Sequence, residues 1–458
     1  MASRALSVGE VIDQRPLGAY QIWTVVLCGL VLVMDGYDSF TMSYVTSPVS
    51  QAMHIPIHAF GPILSASLIG LMIASLATGP IADRIGRKWV IIFSELTFAV
   101  FSLLTAHATT YHELWMYRFL TGLGLGGAMP NAVALASEYS PRRLVAPVVA
   151  TLFAGMPIGA VLSGVVSSAV IGSWGWRWVF YIGGIVPVAL ALALVVKLPE
   201  SARFMAARKK DPRRIETILA RIAPDVPPAQ IDFTATSDET ARKGVPVKHL
   251  FTEGRAVGTI LLWIPYFMNL MGIYFMNSWL PSLLKEAGMT VSHSVLVTAG
   301  VSFGGIFACF AEGPLINAVG AFNALIGEFV LSAVCILGVA EVARSFGPAL
   351  VIGCVMGFLL IGAQAGLNAM AAKFYPTPIR STGVGWALGV GRIGSVVGPL
   401  VGGMMLTAGW KPKEIIISGA VCGVLGWLAI LLSKHARGVA TAYDRDPRAI
   451  EARTASHV

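Results

Sequence analysis

Twelve runs of apolar residues, each about 20 residues long, follow one another along this chain with short polar breaks between them. They fall near 21–47, 61–82, 89–107, 113–136, 145–168 and 177–196, then near 257–280, 293–316, 321–340, 347–371, 381–406 and 414–433. In hydrocarbon every backbone N–H and C=O needs a partner, so runs of this length fold as spanning helices. A transmembrane barrel does not fit, because the runs are too long and do not alternate polar with apolar residues. A soluble fold does not fit either: 55% of the 458 residues are hydrophobic and 12% are charged, about half the charge of a globular domain. The chain reads as an all-α polytopic membrane protein.

The runs divide the chain into a segment 1–20, a six-helix bundle 21–196, a polar linker 197–256, a second six-helix bundle 257–433 and a tail 434–458. The linker carries a basic cluster, Arg208, Lys209, Lys210, Arg213 and Arg214, and the turn-rich "APDVPPAQ". The formal charge of +9 is distributed as a topology signal, which gives no reason to invoke nucleic acid. Arg84, Arg87 and Lys88 follow the second run and Arg142 and Arg143 the fourth, whereas the loops after the first and third runs hold no Lys or Arg. The positive-inside rule therefore puts both termini and the linker in the cytoplasm, with Lys411 and Lys413 a minor exception. Residues 1–19 lack the apolar core of a signal peptide. The cysteines Cys28, Cys309, Cys335, Cys354 and Cys422 lie in apolar runs with neither metal-ligand nor disulfide spacing, so no metal is expected. "GLGLGG" (122–127) lies inside an apolar run without a following Gly-Lys-Ser/Thr, which argues against a nucleotide site and leaves no cofactor to expect.

The two halves echo one another. "GPIADRIG" (79–86) is matched by "GPLINAVG" (313–320), and "GGAMPNAVALASEYSP" by "IGAQAGLNAMAAKFYP", which puts Asn131 and Asn368 in comparable places. Duplicated six-helix halves joined by a linker suit a rocking carrier with its substrate site between them. A channel or an enzyme needs no such duplication.

"GPIADRIGRK" (79–88) resembles the signature loop of the major facilitator superfamily. With "DGYD" (35–38), "RFLTGLGLGGAMPNAVALASEYSPRR" (118–143), "LPESARF" (198–204) and "FYPTPIRSTGVGWALGVGRIG" (374–394), essentially the whole chain resembles the aromatic acid:proton symporter family. The resemblance implies a major facilitator fold of twelve transmembrane helices and proton-coupled import of a benzoate- or hydroxybenzoate-type acid across the bacterial inner membrane. It also implies that Asp35, Asp38, Arg118, Glu138, Arg380 and Arg392 occupy positions the family needs. One departure is visible: in the second-half loop, Asn317 and Ala318 replace the usual Asp-Arg pair.

A carboxylate at mid-membrane costs several kcal/mol unless it is paired, solvated or protonated. Asp35 and Asp38 are i,i+3 and share roughly one helix face. Rise per residue places Asp35 about 21 Å above one end of its run and Arg118 about 8 Å from the opposite surface, so the two depths nearly coincide. Proton coupling by the aspartates is one reading of such a cluster, bracing of the first and fourth helices is another, and a direct part in binding the substrate, with Arg118 as its contact, is a third. Arg392 lies about 17 Å into its run and wants an anion: the carboxylate of a substrate, met by a bidentate pair of hydrogen bonds, or a protein acid such as Glu328. Asn269, Tyr274, Asn277, Gln364 and Asn368 are the further candidates for lining the substrate site, and Trp279 reads either as stacking surface or as an interfacial residue.

At the cytoplasmic ends, Asp83, Arg84, Arg87, Glu138, Arg142 and Arg380 form a candidate gate, with ordinary positive-inside charge as the alternative for the basic members. Other organic anions (muconate, phthalate, aryloxy acids) and a non-transporting sensor are the competing functions. A monomer is expected, since one chain supplies both halves.

Overall fold

In the computed structural model, the described residues are 6–207, 212–224, 231–232, 247–252, 254–376 and 379–435. Arg208, Lys209 and Lys210 of the basic cluster, most of "APDVPPAQ" and nearly all of the tail lie outside them. Among the described residues, twelve helical segments are long and apolar enough to cross a membrane. The chain is an all-α polytopic membrane protein.

A short helix α1 (Val8–Asp13) precedes the first six spanning helices, α2 (Ala19–Met53), α3 (Phe60–Ile85), α4 (Arg87–His107), α5 (Tyr111–Glu138), α6 (Arg142–Val170) and α7 (Arg177–Lys197). Two further short helices follow, α8 (Ala202–Ala207) and α9 (Pro212–Ile222). The second set comprises α10 (Ala256–Glu286), α11 (Val291–Val319), α12 (Ala321–Glu341), α13 (Phe346–Phe374) and α14 (Arg380–Thr407), then α15 (Pro412–Ser418) and α16 (Ala420–His435). The single run expected over 414–433 is therefore two helices, parted at Gly419, where a Cβ would press on Met276 Sδ at 2.9 Å. A two-residue parallel ladder, β1 (Leu6–Ser7) with β2 (Ile231–Asp232), is the one strand pairing among the described residues.

Local chemistry sets several helix ends. The Thr110 hydroxyl accepts the Glu113 N–H at 3.2 Å while the Glu113 carboxylate accepts the Thr110 N–H at 3.2 Å, a capping box that starts α5. The turns between α3 and α4 and between α11 and α12 fall on Gly86 and Gly320, whose φ values of 104° and 82° favour glycine. Most helices run past the apolar windows, because their polar ends keep hydrogen bonding in the same ladder. Pro48 sits inside α2 without ending it.

The chain divides into two compact units, Met1–Ile55 with Ala66–Arg242, and Pro56–Ser65 with Lys243–Val458. In the first, α2 crosses α6 so closely that a Cβ on Gly159 would overlap the Val33 carbonyl oxygen. The amphipathic α9 turns Ile215, Ile218, Leu219 and Ile222 into a core shared with Val11, Ile12, Leu27 and Phe204. Part of the stretch read as linker thus completes the core of this unit. In the second unit α11 crosses α13 in the same manner, with Gly357 against the Val301 carbonyl, and Ser65 Oγ donates to the Val396 carbonyl at 2.8 Å.

Candidate functional site

The first unit holds a buried ion pair. Arg118 on α5 donates from Nη1 to Asp38 Oδ1 at 2.9 Å and from Nη2 to Asp38 Oδ2 at 2.8 Å, and both residues are almost wholly shielded from solvent, at 0% and 1% exposed. This is the bidentate fork that a guanidinium forms best. The Phe180 ring of α7 lies 6.0 Å from the guanidinium carbon. Asp35, one turn earlier on α2, accepts from Ser39 Oγ at 3.2 Å. Glu95 of α4 is buried in the same unit, and neither of its carboxyl oxygens meets a hydrogen-bond partner among the described residues. The sequence reading missed Glu95, although one acid in the apolar run 90–100 was a signal in itself.

At one end of the same unit, Arg87 Nη2 pairs with Glu138 Oε1 at 2.9 Å, and Glu138 also accepts the Ser201 hydroxyl. Glu200, which carried no assigned role in the sequence, fixes the signature turn: its Oε1 accepts the backbone N–H groups of Arg87 at 3.0 Å and Lys88 at 3.2 Å. A carboxylate on the first amides of a helix also complements the helix dipole. Tyr139 donates its hydroxyl to the Glu200 carbonyl at 2.7 Å, and burial holds that phenol well above its usual pKa. Arg142 pairs with Asp13 of α1 at 3.1 Å rather than with Glu138, while Asp83 and Arg84 are exposed at the end of α3.

In the second unit the polar candidates converge between α10 and α13. Tyr266 donates to Asn368 Oδ1 at 2.9 Å, and Asn269 Nδ2 donates to Gln364 Oε1 at 3.1 Å and to the Leu360 carbonyl at 3.2 Å. Asn269 Oδ1 and Gln364 Nε2 keep hydrogen-bonding capacity unused among the described residues. Asn277 donates to the Ile273 carbonyl of its own helix, and Tyr274 is buried nearby on α10. Trp279 is fully buried and its indole N–H donates to the Pro399 carbonyl at 2.9 Å, so it ties α10 to α14 and does not sit in an interfacial belt. Arg392 on α14 is half-buried and makes no ion pair among the described residues; Glu328 lies with Glu312 against Gly362 instead. Arg380 donates from Nε to the Tyr375 carbonyl at 3.3 Å.

Twelve apolar spanning helices, an internally duplicated sequence and charged groups held at depth define a secondary active carrier. The chain belongs to the Major Facilitator Superfamily, whose family model matches residues 26–362. Within it, relatives include transporters named for aromatic acids. The chain is 36% identical over 438 residues to the 4-hydroxybenzoate transporter PcaK of Pseudomonas putida, covering 94% of this chain and 96% of that one. It is 36% identical over 436 residues to the gallate transporter of Pseudomonas putida, covering 95% and 97% of the two chains. Against the benzoate transport protein of Acinetobacter baylyi it is 31% identical over 442 residues, covering 95% and 94%. The fold also matches the xylose transporter XylE from E. coli, with a TM-score of 0.71 at 17% identity over 91% of this chain and 97% of that one.

Proposed function

We propose that this protein imports an aromatic carboxylate of the benzoate or hydroxybenzoate type together with one or more protons, by alternating access. The observation that carries the reading is Arg392: a half-buried guanidinium with no ion-pair partner among the described residues, on a chain with relatives named for aromatic acids. Its fork matches a carboxylate in geometry and charge. The open positions on Asn269 and Gln364 suit a ring hydroxyl, and Tyr274, Asn277 and Asn368 complete the polar lining.

Asp35 and Asp38 carry the coupling in this proposal. Asp38 as a carboxylate holds Arg118 and so ties α2 to α5; as a neutral acid it loses the ionic part of that hold. Protonation state and helix contact are thereby linked. Arg87, Glu138 and Arg142, with Asp83 and Arg84 at the end of α3, and in the second unit Arg380 at the start of α14, act as the gating residues whose terminal contacts break and re-form. In this proposal the protein works as a monomer in the bacterial inner membrane, with both termini cytoplasmic, a reading the distribution of Lys and Arg supports.

The test is uptake of labelled benzoate, 4-hydroxybenzoate, protocatechuate and gallate into proteoliposomes, with and without an inward proton gradient. Protein-free vesicles correct for passage of the neutral acids through lipid. Saturable accumulation that rises with the gradient is the expected result for one or more of these acids. Saturable equilibration indifferent to the gradient would remove the proton role, and absence of protein-dependent uptake for all four would remove the substrate class.

A further inference from the structure

The second unit contains a buried pair of acids that the transport reading leaves unused. Helices α11 and α12 form a hairpin turning at Gly320, with Glu312 eight residues before that glycine and Glu328 eight after it. Equal spacing sets the two side by side about 12 Å from the turn. Helix α13 covers them with glycine: a Cβ on Gly362 would lie 2.6 Å from Glu328 Oε1 and 3.1 Å from Glu312 Oε2, and one on Gly366 would lie 2.7 Å from Glu312 Oε1. Both side chains are 3% exposed, and none of their four oxygens meets a donor among the described residues.

The two acids meet at one point of α13, since Glu328 Oε1 and Glu312 Oε2 both lie against Gly362. Among the described residues none of the four oxygens accepts from a lysine or arginine of the surrounding helices, whose charged side chains are Lys285 and Glu286 on α10, Glu341 on α12, Lys373 on α13, Arg392 on α14 and Lys434 on α16. Nor does the hairpin turn bring an arginine, since Asn317 and Ala318 stand where its first-half counterpart has Asp83 and Arg84. Two carboxylates in contact away from water repel one another, whereas an acid and a carboxylate attract through a strong O–H···O⁻ bond. The first unit supplies a comparison. Its α3–α4 hairpin turns at Gly86, and the positions eight residues to either side are Thr78 and Ser94, both lying against Gly127 of α5. Neutral residues fill that place there, so the hairpin itself does not require acids.

We infer that Glu312 and Glu328 bind one exchangeable proton between them, as carboxylic acid and carboxylate, and form a second proton site of this carrier, within its second unit. The proton moves on and off an oxygen with no other bond changed. The inference goes beyond the aromatic-acid reading and needs no substrate to be tested.

Infrared difference spectroscopy of the purified full-length protein in lipid, recorded across pH in H₂O and D₂O, reads the C=O stretch of protonated carboxyls. The expected result is a deuterium-sensitive band at neutral pH, abolished on alkaline titration and missing from the E312Q/E328Q variant. It persists in E95Q, which separates it from the acids of the first unit. Addition of sodium chloride at constant pH leaves it in place, whereas its loss would assign the site to a metal cation and overturn the inference. An unchanged band in a double variant that keeps the wild-type melting temperature would overturn it as well. Should the double variant not fold, E328D serves: moving one carboxyl back by a methylene shifts the band in frequency, and an unshifted band counts against the pair.

Discussion

Replacing Asp38 with asparagine keeps the shape of the side chain and removes its charge. Asp38 and Arg118 share two hydrogen bonds of 2.9 and 2.8 Å, and both are buried to within 1% of full shielding. At about 4 Å and an effective dielectric of about 20, their attraction is about 4 kcal/mol. Removing one partner also strands the other as a buried charge, so Asp38→Asn should lower unfolding free energy by about 3–5 kcal/mol. The double variant D38N/R118Q leaves no stranded charge and should regain most of that loss. Unfolding in mild detergent, followed by tryptophan fluorescence, measures the stability of the single and double variants. Vesicle uptake then separates bracing from coupling: a brace alone predicts that the double variant, once stable, transports again, whereas the coupling role predicts that it binds substrate without accumulating it. A single variant destabilised by less than about 1 kcal/mol, the range of an exposed pair, refutes the energetic argument. A double variant that accumulates the acid against its gradient refutes the proton role of Asp38.

Arg392→Lys keeps the charge but not the planar fork, and Arg392→Gln removes both; loss of charge-assisted hydrogen bonds worth about 1.5–3 kcal/mol predicts about 10- to 150-fold weaker substrate binding for the glutamine variant, read by equilibrium binding. Glu200→Ala strips the caps from the Arg87 and Lys88 amides and should cost about 0.5–2 kcal/mol, visible as a lower melting temperature, with Glu200→Gln closer to the wild type. Gly357→Val drives a side chain into the Val301 carbonyl at the α11–α13 crossing; overpacking of about 1–3 kcal/mol is expected there, and the same substitution at Gly347, where a Cβ meets nothing within 4 Å, is the control.

Much of the architecture was legible because lipid makes length and apolarity decisive: the twelve spanning segments could be read as runs, and the turn glycines Gly86 and Gly320 stand at the ends of the repeated motif. The charged site was legible only as a depth. Helical rise brought Asp35, Asp38 and Arg118 to similar levels, but which aspartate meets the arginine depends on how α2 is rotated, and its close packing on α6 at Gly36 and Gly159 helps to set that. Glu95 and Glu312 were passed over for a related reason. A single acid in an apolar run carries no periodicity, and its meaning lies in what the neighbouring helix puts opposite it. Asp13, the partner of Arg142, was hidden in a short helix whose few apolar residues, Val11 and Ile12, give too little pattern to mark it.

The burial of α8 and α9 has a practical consequence for anyone who expresses the halves as separate polypeptides. A cut just after Lys197, where the apolar run ends, would take Phe204, Ile215 and Leu219 from the first half and expose Val11, Ile12 and Leu27. It would also detach Glu200 from the amides of Arg87 and Lys88. The serviceable place to divide the chain lies beyond Ile222, so that the first fragment keeps its own lid and the second begins ahead of α10.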